Sequence, residues 1–180
     1  MNIDLESMAI DMPRVAGHPN REPFRGVLTV VDVASDRAPA GARGHCVVLT
    51  RAAAEAGLAS LLGMALDYAP SLDRHDSRRK VGIITRAEIV GRELELGGYI
   101  YAKDFPEVVR DLEQFGRGAT DLAGGRAQTH PGLGMSYEIA DARVADMRAR
   151  VWTLMRVTFT GAAILRRDKA AYRDTWIELE

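Results

Sequence analysis

The chain has 180 residues, 47% of them hydrophobic and 27% charged, which suits one globular domain with a real core and is short for two. Twenty-four basic and 25 acidic residues leave a net charge of -1, without the basic excess that phosphate neutralisation demands of a general nucleic-acid binder. The single Cys46 excludes an internal disulfide, the acidic MNIDLESMAIDMPR start does not suit a secretory leader, and no apolar run approaches the roughly 18 residues of a membrane span.

In chain order, residues 1–23 mix polar residues with Pro13, Gly17, Pro19 and Pro23 and show no period, so they read as an extended or flexible arm. Residues 24–180 form the domain. Phe24–Val33 is rich in β-branched residues and predicts a strand. A Pro/Gly loop follows over Ser35–Gly44, then a short strand over His45–Thr50. From Thr50 to Tyr68 the apolar positions Ala54, Leu58, Leu61, Leu62, Ala65 and Leu66 lie on one helical stripe, with Thr50 as N-cap and Pro70 as stop. KVGIITRAEIVG and RELELGGYIYA predict two strands turning at Gly91. A second helix opens at Asp104, where Asp104 and Glu107 have capping-box spacing and Pro106 sits in the first turn. Gly116–Pro131 is a glycine-rich connection, and GLGMSYEIAD, RVWTLMRVTF and RDTWIEL predict three more strands. Strands predominate without βαβα alternation, so the class is α+β.

The four histidines are His18, His45, His75 and His130. They show no HExxH or i, i+4 spacing, and there is no P-loop or GxGxxG, so neither a metal nor a cofactor is expected. His45 and Cys46 are adjacent, but strand neighbours face opposite ways and cannot form a thiol dyad. His75 stands in LDRHDSRRK just ahead of a strand, with Asp73 and Asp76 close by. A carboxylate that orients an imidazole and stabilises its charged form is what a general base requires. Ser136 lies in GLGMSYEI, approached through Gly132 and Gly134, small residues that let substrate backbone come near. It is no α/β-hydrolase elbow: Glu138 stands where G-x-S-x-G needs glycine, and every histidine precedes the serine.

RHDSRRKVGIIT, IVGRELELGGYIYAKDFPEVV, GMSYE and VTFTGAAILRRDKAAY, in that order, resemble the prohead maturation proteases of tailed phages. These are serine peptidases similar to the herpesvirus assemblins in fold and in their His-before-Ser order. The resemblance spans about Phe24 to Tyr172. It implies a single-domain, mostly antiparallel β-barrel-like core with flanking helices. It also implies a serine endopeptidase of capsid maturation, with His75 as general base and Ser136 as nucleophile. Scaffolding protein and major capsid protein would be the substrates, inside the procapsid in the host cytoplasm. The enzyme would need no cofactor and have no nucleic-acid or membrane partner; self-association into a homo-oligomer and self-cleavage of the arm are compatible with it. The third catalytic member is unassigned. Thr153 and Thr160-Gly161 replace a glutamate and a proline-alanine pair of the family, leaving Glu138, Asp76 and Asp141 as substitutes or a Ser–His dyad alone. Arg166 and Arg167 are weak candidates for holding the oxyanion. The alternative is a non-catalytic assembly or core protein that keeps the fold and binds scaffold.

Overall fold

A computed structural model describes residues 2–4, 17–116, 120, 121, 128, 129 and 132–180. Most of the N-terminal arm, His130 and much of the glycine-rich connection lie outside the described residues. The elements are β1 (Asn2–Asp4), β2 (Glu22–Val30), β3 (Cys46–Leu49), α1 (Arg51–Gly57), β4 (Ala65–Tyr68), β5 (Lys80–Val90) and β6 (Glu93–Ile100). They continue with α2 (Pro106–Phe115), β7 (Thr120–Asp121), β8 (Gln128–Thr129), β9 (Leu133–Val144), β10 (Val151–Arg166) and β11 (Trp176–Leu179).

Among the described residues, nine strands form one curled mixed sheet, a half-barrel, in the order β11-β2-β6-β5-β4-β10-β3. β1 is added against Arg86–Glu88 of β5, and β9 against β10. The chain is thus a single α+β domain with two short helices. β10 is the axis of the site. On one edge it pairs in parallel with β3 (Val151–Leu154 against Cys46–Leu49) and with β4 (Ala162–Ile164 against Leu66–Tyr68). Its other edge carries β9, antiparallel. The ladder slips at three places between Leu154 and Gly161, whereas Gly161–Arg166 pairs without interruption with Glu138–Leu133. The core collects Phe24, Leu28, Leu66, Ile84, Leu96 and Phe159, all essentially inaccessible to water.

Two local expectations fail for identifiable reasons. The helix read over Thr50–Tyr68 is only Arg51–Gly57, extended by a 3-10 turn at Leu58–Leu61. Thr50 does cap it, its Oγ1 accepting from Ala53 N at 3.2 Å. Gly63, at φ +79°, then turns the chain, and Ala65–Tyr68 leaves as a strand. The capping box at Asp104 does not form either. Phe105 is the N-cap, with no side-chain hydrogen bond. Asp104 instead accepts from Asn20 Nδ2 at 2.8 Å, and Glu107 is taken by Arg79.

Candidate functional site

His75 lies on the connection between β4 and β5, and two neighbours fix that connection. Asp67, the third residue of β4, is completely buried, and its Oδ1 accepts from Asp76 N at 3.1 Å, folding the loop back over the strand. Farther along, the Arg79 guanidinium lies 5.2 Å from the Tyr68 ring and 5.7 Å from that of Phe105, and pairs with Glu107. Tyr68 in turn donates to Asp111. Burial and that hydrogen bond together push the Tyr68 phenol up. The loop carrying His75 is therefore fastened to β4 at one end and to α2 at the other.

Ser136 and Glu138 come from β9. Two apart on a strand, they face the same way. Ser136 pairs with Ala163 of β10, and Ala163 pairs with Asp67 of β4. Asp67, Ala163 and Ser136 thus form one row across three adjacent strands, and residues opposite one another in a sheet share a face. Two inter-strand steps come to about 9.6 Å, the span of a carboxylate–imidazole–hydroxyl chain. The central residue of the row is alanine, which leaves room above it. Glu138 sits opposite Gly161, where a methyl group would come within 3.0 Å of Glu138 Oε2. The glycine makes space for this carboxylate.

The imidazole meets both acids through one nitrogen. His75 Nδ1 is 3.2 Å from Glu138 Oε1 and 3.5 Å from Asp67 Oδ2, with the ring about a quarter exposed. Nδ1 and Asp67 Oδ2 are buried atoms that lack a well-formed hydrogen bond. Lys80 Nζ lies 3.7 Å from the same Asp67 oxygen. Burial works against the charged imidazole but is outweighed by Asp67 and then Glu138, so the His75 pKa is raised above its ordinary 6.5. With Nδ1 given to the acids, Nε2 is the nitrogen free to exchange a proton with another group.

His75, Ser136 and Glu138 line one cleft of about 870 Å³, in the range of small-molecule and peptide sites. Its walls include Val47, Ile139, Trp152 and Leu154, with Arg37, Arg74 and Lys169 also contributing. Ser136 Oγ makes no hydrogen bond to His75 or to any other group among the described residues.

The other candidates separate cleanly. Asp76 caps its own turn, accepting from Arg78 N at 3.1 Å, and touches the site only through its backbone. Asp141 is exposed and Thr153 lies on β10; neither lines the cleft. Arg166 is held bidentately by Asp168 at 2.9 and 2.6 Å, and neither it nor Arg167 lines the cleft. Gly134 serves the core rather than a substrate: a Cβ there would come within 2.6 Å of Thr175 Oγ1. His45 stacks on Trp152 at 4.6 Å, with Cys46 outside the cleft.

The sequence alone does not disclose Asp67. Its signal was a lone acid inside the apolar run MALDYA, which a helical reading places on a solvated face. In Asp67→Asn, His75 loses the stronger of its two stabilising partners while burial remains. Its pKa is expected to fall, read from the imidazole Cε1–H resonance in an NMR titration of metal-free protein. A pKa unchanged from wild type would refute the coupling. Glu138→Gln is expected to lower it less.

No family model matches this sequence, no curated protein matches it, and no solved structure matches its fold.

Proposed function

We propose that this protein is a serine endopeptidase of phage capsid maturation with an assemblin-like, barrel-derived fold. It cleaves scaffolding-protein and capsid-protein segments inside the procapsid, in the host cytoplasm. The observation that supports this most is an imidazole held through Nδ1 by Asp67 and Glu138 in the same cleft as Ser136, on the sheet face that Asp67 and Ser136 share. The motif order of the sequence supports the choice of peptide substrates.

In this reading His75 Nε2 takes the Ser136 Oγ proton as Oγ attacks a peptide carbonyl, giving a tetrahedral intermediate. The imidazolium is stabilised by Asp67 and Glu138, then gives the proton to the leaving amine as the C–N bond breaks. Water, deprotonated by the same Nε2, hydrolyses the acyl-enzyme. The third member is thus a pair of acids, with buried Asp67 the stronger and Glu138 the accessible one. Since His75 must be neutral to accept a proton, activity rises with pH through the raised His75 pKa, above 6.5. The stability contributed by the His75 ion pairs runs the other way. It is complete below 6.5 and lost as pH rises through the raised folded value.

Ser136 Oγ is not hydrogen-bonded to His75, which favours a second reading: a scaffold-binding assembly protein that retains the fold without chemistry. Catalytic hydrogen bonds are often long before substrate binds and tighten in the complex, so the two readings divide on reactivity. A serine-directed fluorophosphonate is expected to label wild type stoichiometrically and to leave Ser136→Ala and His75→Ala unlabelled, with scaffold cleaved on co-expression only by wild type. Scaffold cleavage by Ser136→Ala would overturn the peptidase reading. Uncleaved scaffold that co-purifies with wild type would establish the second.

A further inference from the structure

We propose that Asp67, His75 and Glu138 form a binding site for a divalent transition ion of the zinc type, and that the ion switches the peptidase off. The ligand atoms all lie within 4.8 Å of one another. The two distances from His75 Nδ1, 3.2 and 3.5 Å, are long for charge-assisted hydrogen bonds, which run about 2.7–2.9 Å. They match the edge of a coordination tetrahedron, roughly 3.4 Å for metal–ligand bonds near 2.1 Å.

Two of the three donors are also unsatisfied. Asp67 is fully buried, and its Oδ2, which faces His75, has no hydrogen-bond partner; nor has the buried His75 Nδ1. A buried carboxylate oxygen without a donor is costly unless something cationic completes it. Lys80 Nζ at 3.7 Å is too far for a hydrogen bond and only partly does so. One imidazole and two carboxylates suit zinc, whereas calcium asks for six to eight oxygens at about 2.3–2.6 Å. Glu138 is 27% exposed and can swing to close the remaining edge, while the fourth position faces the cleft that His75 and Glu138 line. The three positions are scattered along the chain, so ligand spacing in the sequence does not disclose them.

The inhibition follows from where the proton goes. An ion on Nδ1 takes that nitrogen's lone pair: the imidazolium loses its Nδ1 proton to solvent, whereas the neutral ring exchanges its Nδ1 proton for one taken up at Nε2, and in both cases the single remaining ring proton sits on Nε2. Nε2–H cannot accept the Ser136 proton, so the nucleophile is not activated. This half rests on the peptidase reading. The binding half does not, and the experiment keeps them apart.

Isothermal calorimetry of the chelator-treated protein with zinc chloride is expected to give one site, with a proton released at about pH 6, where His75 is charged, and less release as pH rises. Glu138→Gln is expected to weaken it by about tenfold or more, at least the loss that an outer-shell partner causes. Asp67→Asn should weaken it further, and Lys80→Met should tighten it by removing the competing cation. Circular dichroism establishes that each variant is folded, and the partly exposed Glu138 provides the test should Asp67→Asn fail to fold. Affinity unchanged in Glu138→Gln, or no saturable zinc binding to wild type, overturns the site. Zinc bound at this site with undiminished fluorophosphonate labelling overturns the inhibition while leaving the site standing.

Discussion

Ser136→Ala and His75→Ala are each expected to abolish processing of a scaffold substrate, a loss on the order of 10⁶-fold in kcat, and the double variant is expected to be no slower than either. The saturation is the informative part. A nucleophile and its base act as one unit, so removing the second from an enzyme that lacks the first costs almost nothing, whereas independent contributors would multiply. The stabilities should diverge where the rates agree. Among the described residues Ser136 Oγ has no hydrogen bond to lose, so Ser136→Ala is expected to melt with wild type. His75→Ala leaves the buried Asp67 Oδ2 facing only Lys80 at 3.7 Å, and removing one partner from a buried charged group is destabilising. That variant should melt lower, and most clearly at acidic pH, where the His75 pairs contribute most. Single-turnover kinetics with thermal melts of the three variants check both points. A double variant slower than each single by the product of their separate effects would break the assignment.

Gly98→Ala is expected to cost about 3 kcal/mol or more, a fall of roughly 6–12 °C in Tm for a domain of this size, with little soluble protein at 37 °C. Gly98 sits in the middle of β6, paired with Phe24 on β2 and with Ile84 on β5. A methyl group there would collide with the Ile83 carbonyl oxygen and lie 2.9 Å from Phe24 Cε1. The obstacle is backbone in a strand hydrogen-bonded on both sides, so it cannot step aside. Its neighbour is the control. At Gly97 the nearest atoms belong to the Arg86 guanidinium, Nε at 3.1 Å, and an arginine half open to water can swing clear. Gly97→Ala should therefore melt within a few degrees of wild type. Equal melting temperatures for the two variants would show that crowding at Gly98 is not what limits β6.

How legible this fold was depended on whether its signals were local. Runs of β-branched residues located β2 and β5, and alternation or aromatic-aliphatic runs between glycines located β6 and most of β9 and β10, because a half-buried strand imposes its own two-residue period. β4 was hidden because Leu58, Leu62 and Leu66 stand four apart and satisfy a helical stripe although they belong to a 3-10 helix, a turn and a strand. Only the positive φ at Gly63 separates them, and a glycine inside a helical stripe is no proof of a break. Glu138 was accessible because two residues on one strand share a face whatever the sheet does. Asp67 was not, because its relation to Ser136 runs through Ala163 and two pairings, one of them parallel. Parallel partners have no hairpin between them to declare the register. The capping box failed for a similar reason: Asn20 and Arg79, distant in sequence, took both acids.

One backbone contact bears on how this chain can be rebuilt. Leu133 N donates to Gly116 O at 2.9 Å, so the last residues of α2 and the first of β9 are clasped at the base of everything between them. Closing a loop depends only weakly on its length, about 0.6 kcal/mol per doubling. The clasp therefore insulates the strand bearing the nucleophile from edits made between positions 116 and 133. An inserted tag, a reporter or new chain termini placed there would leave Asp67, Ala163 and Ser136 in the same row.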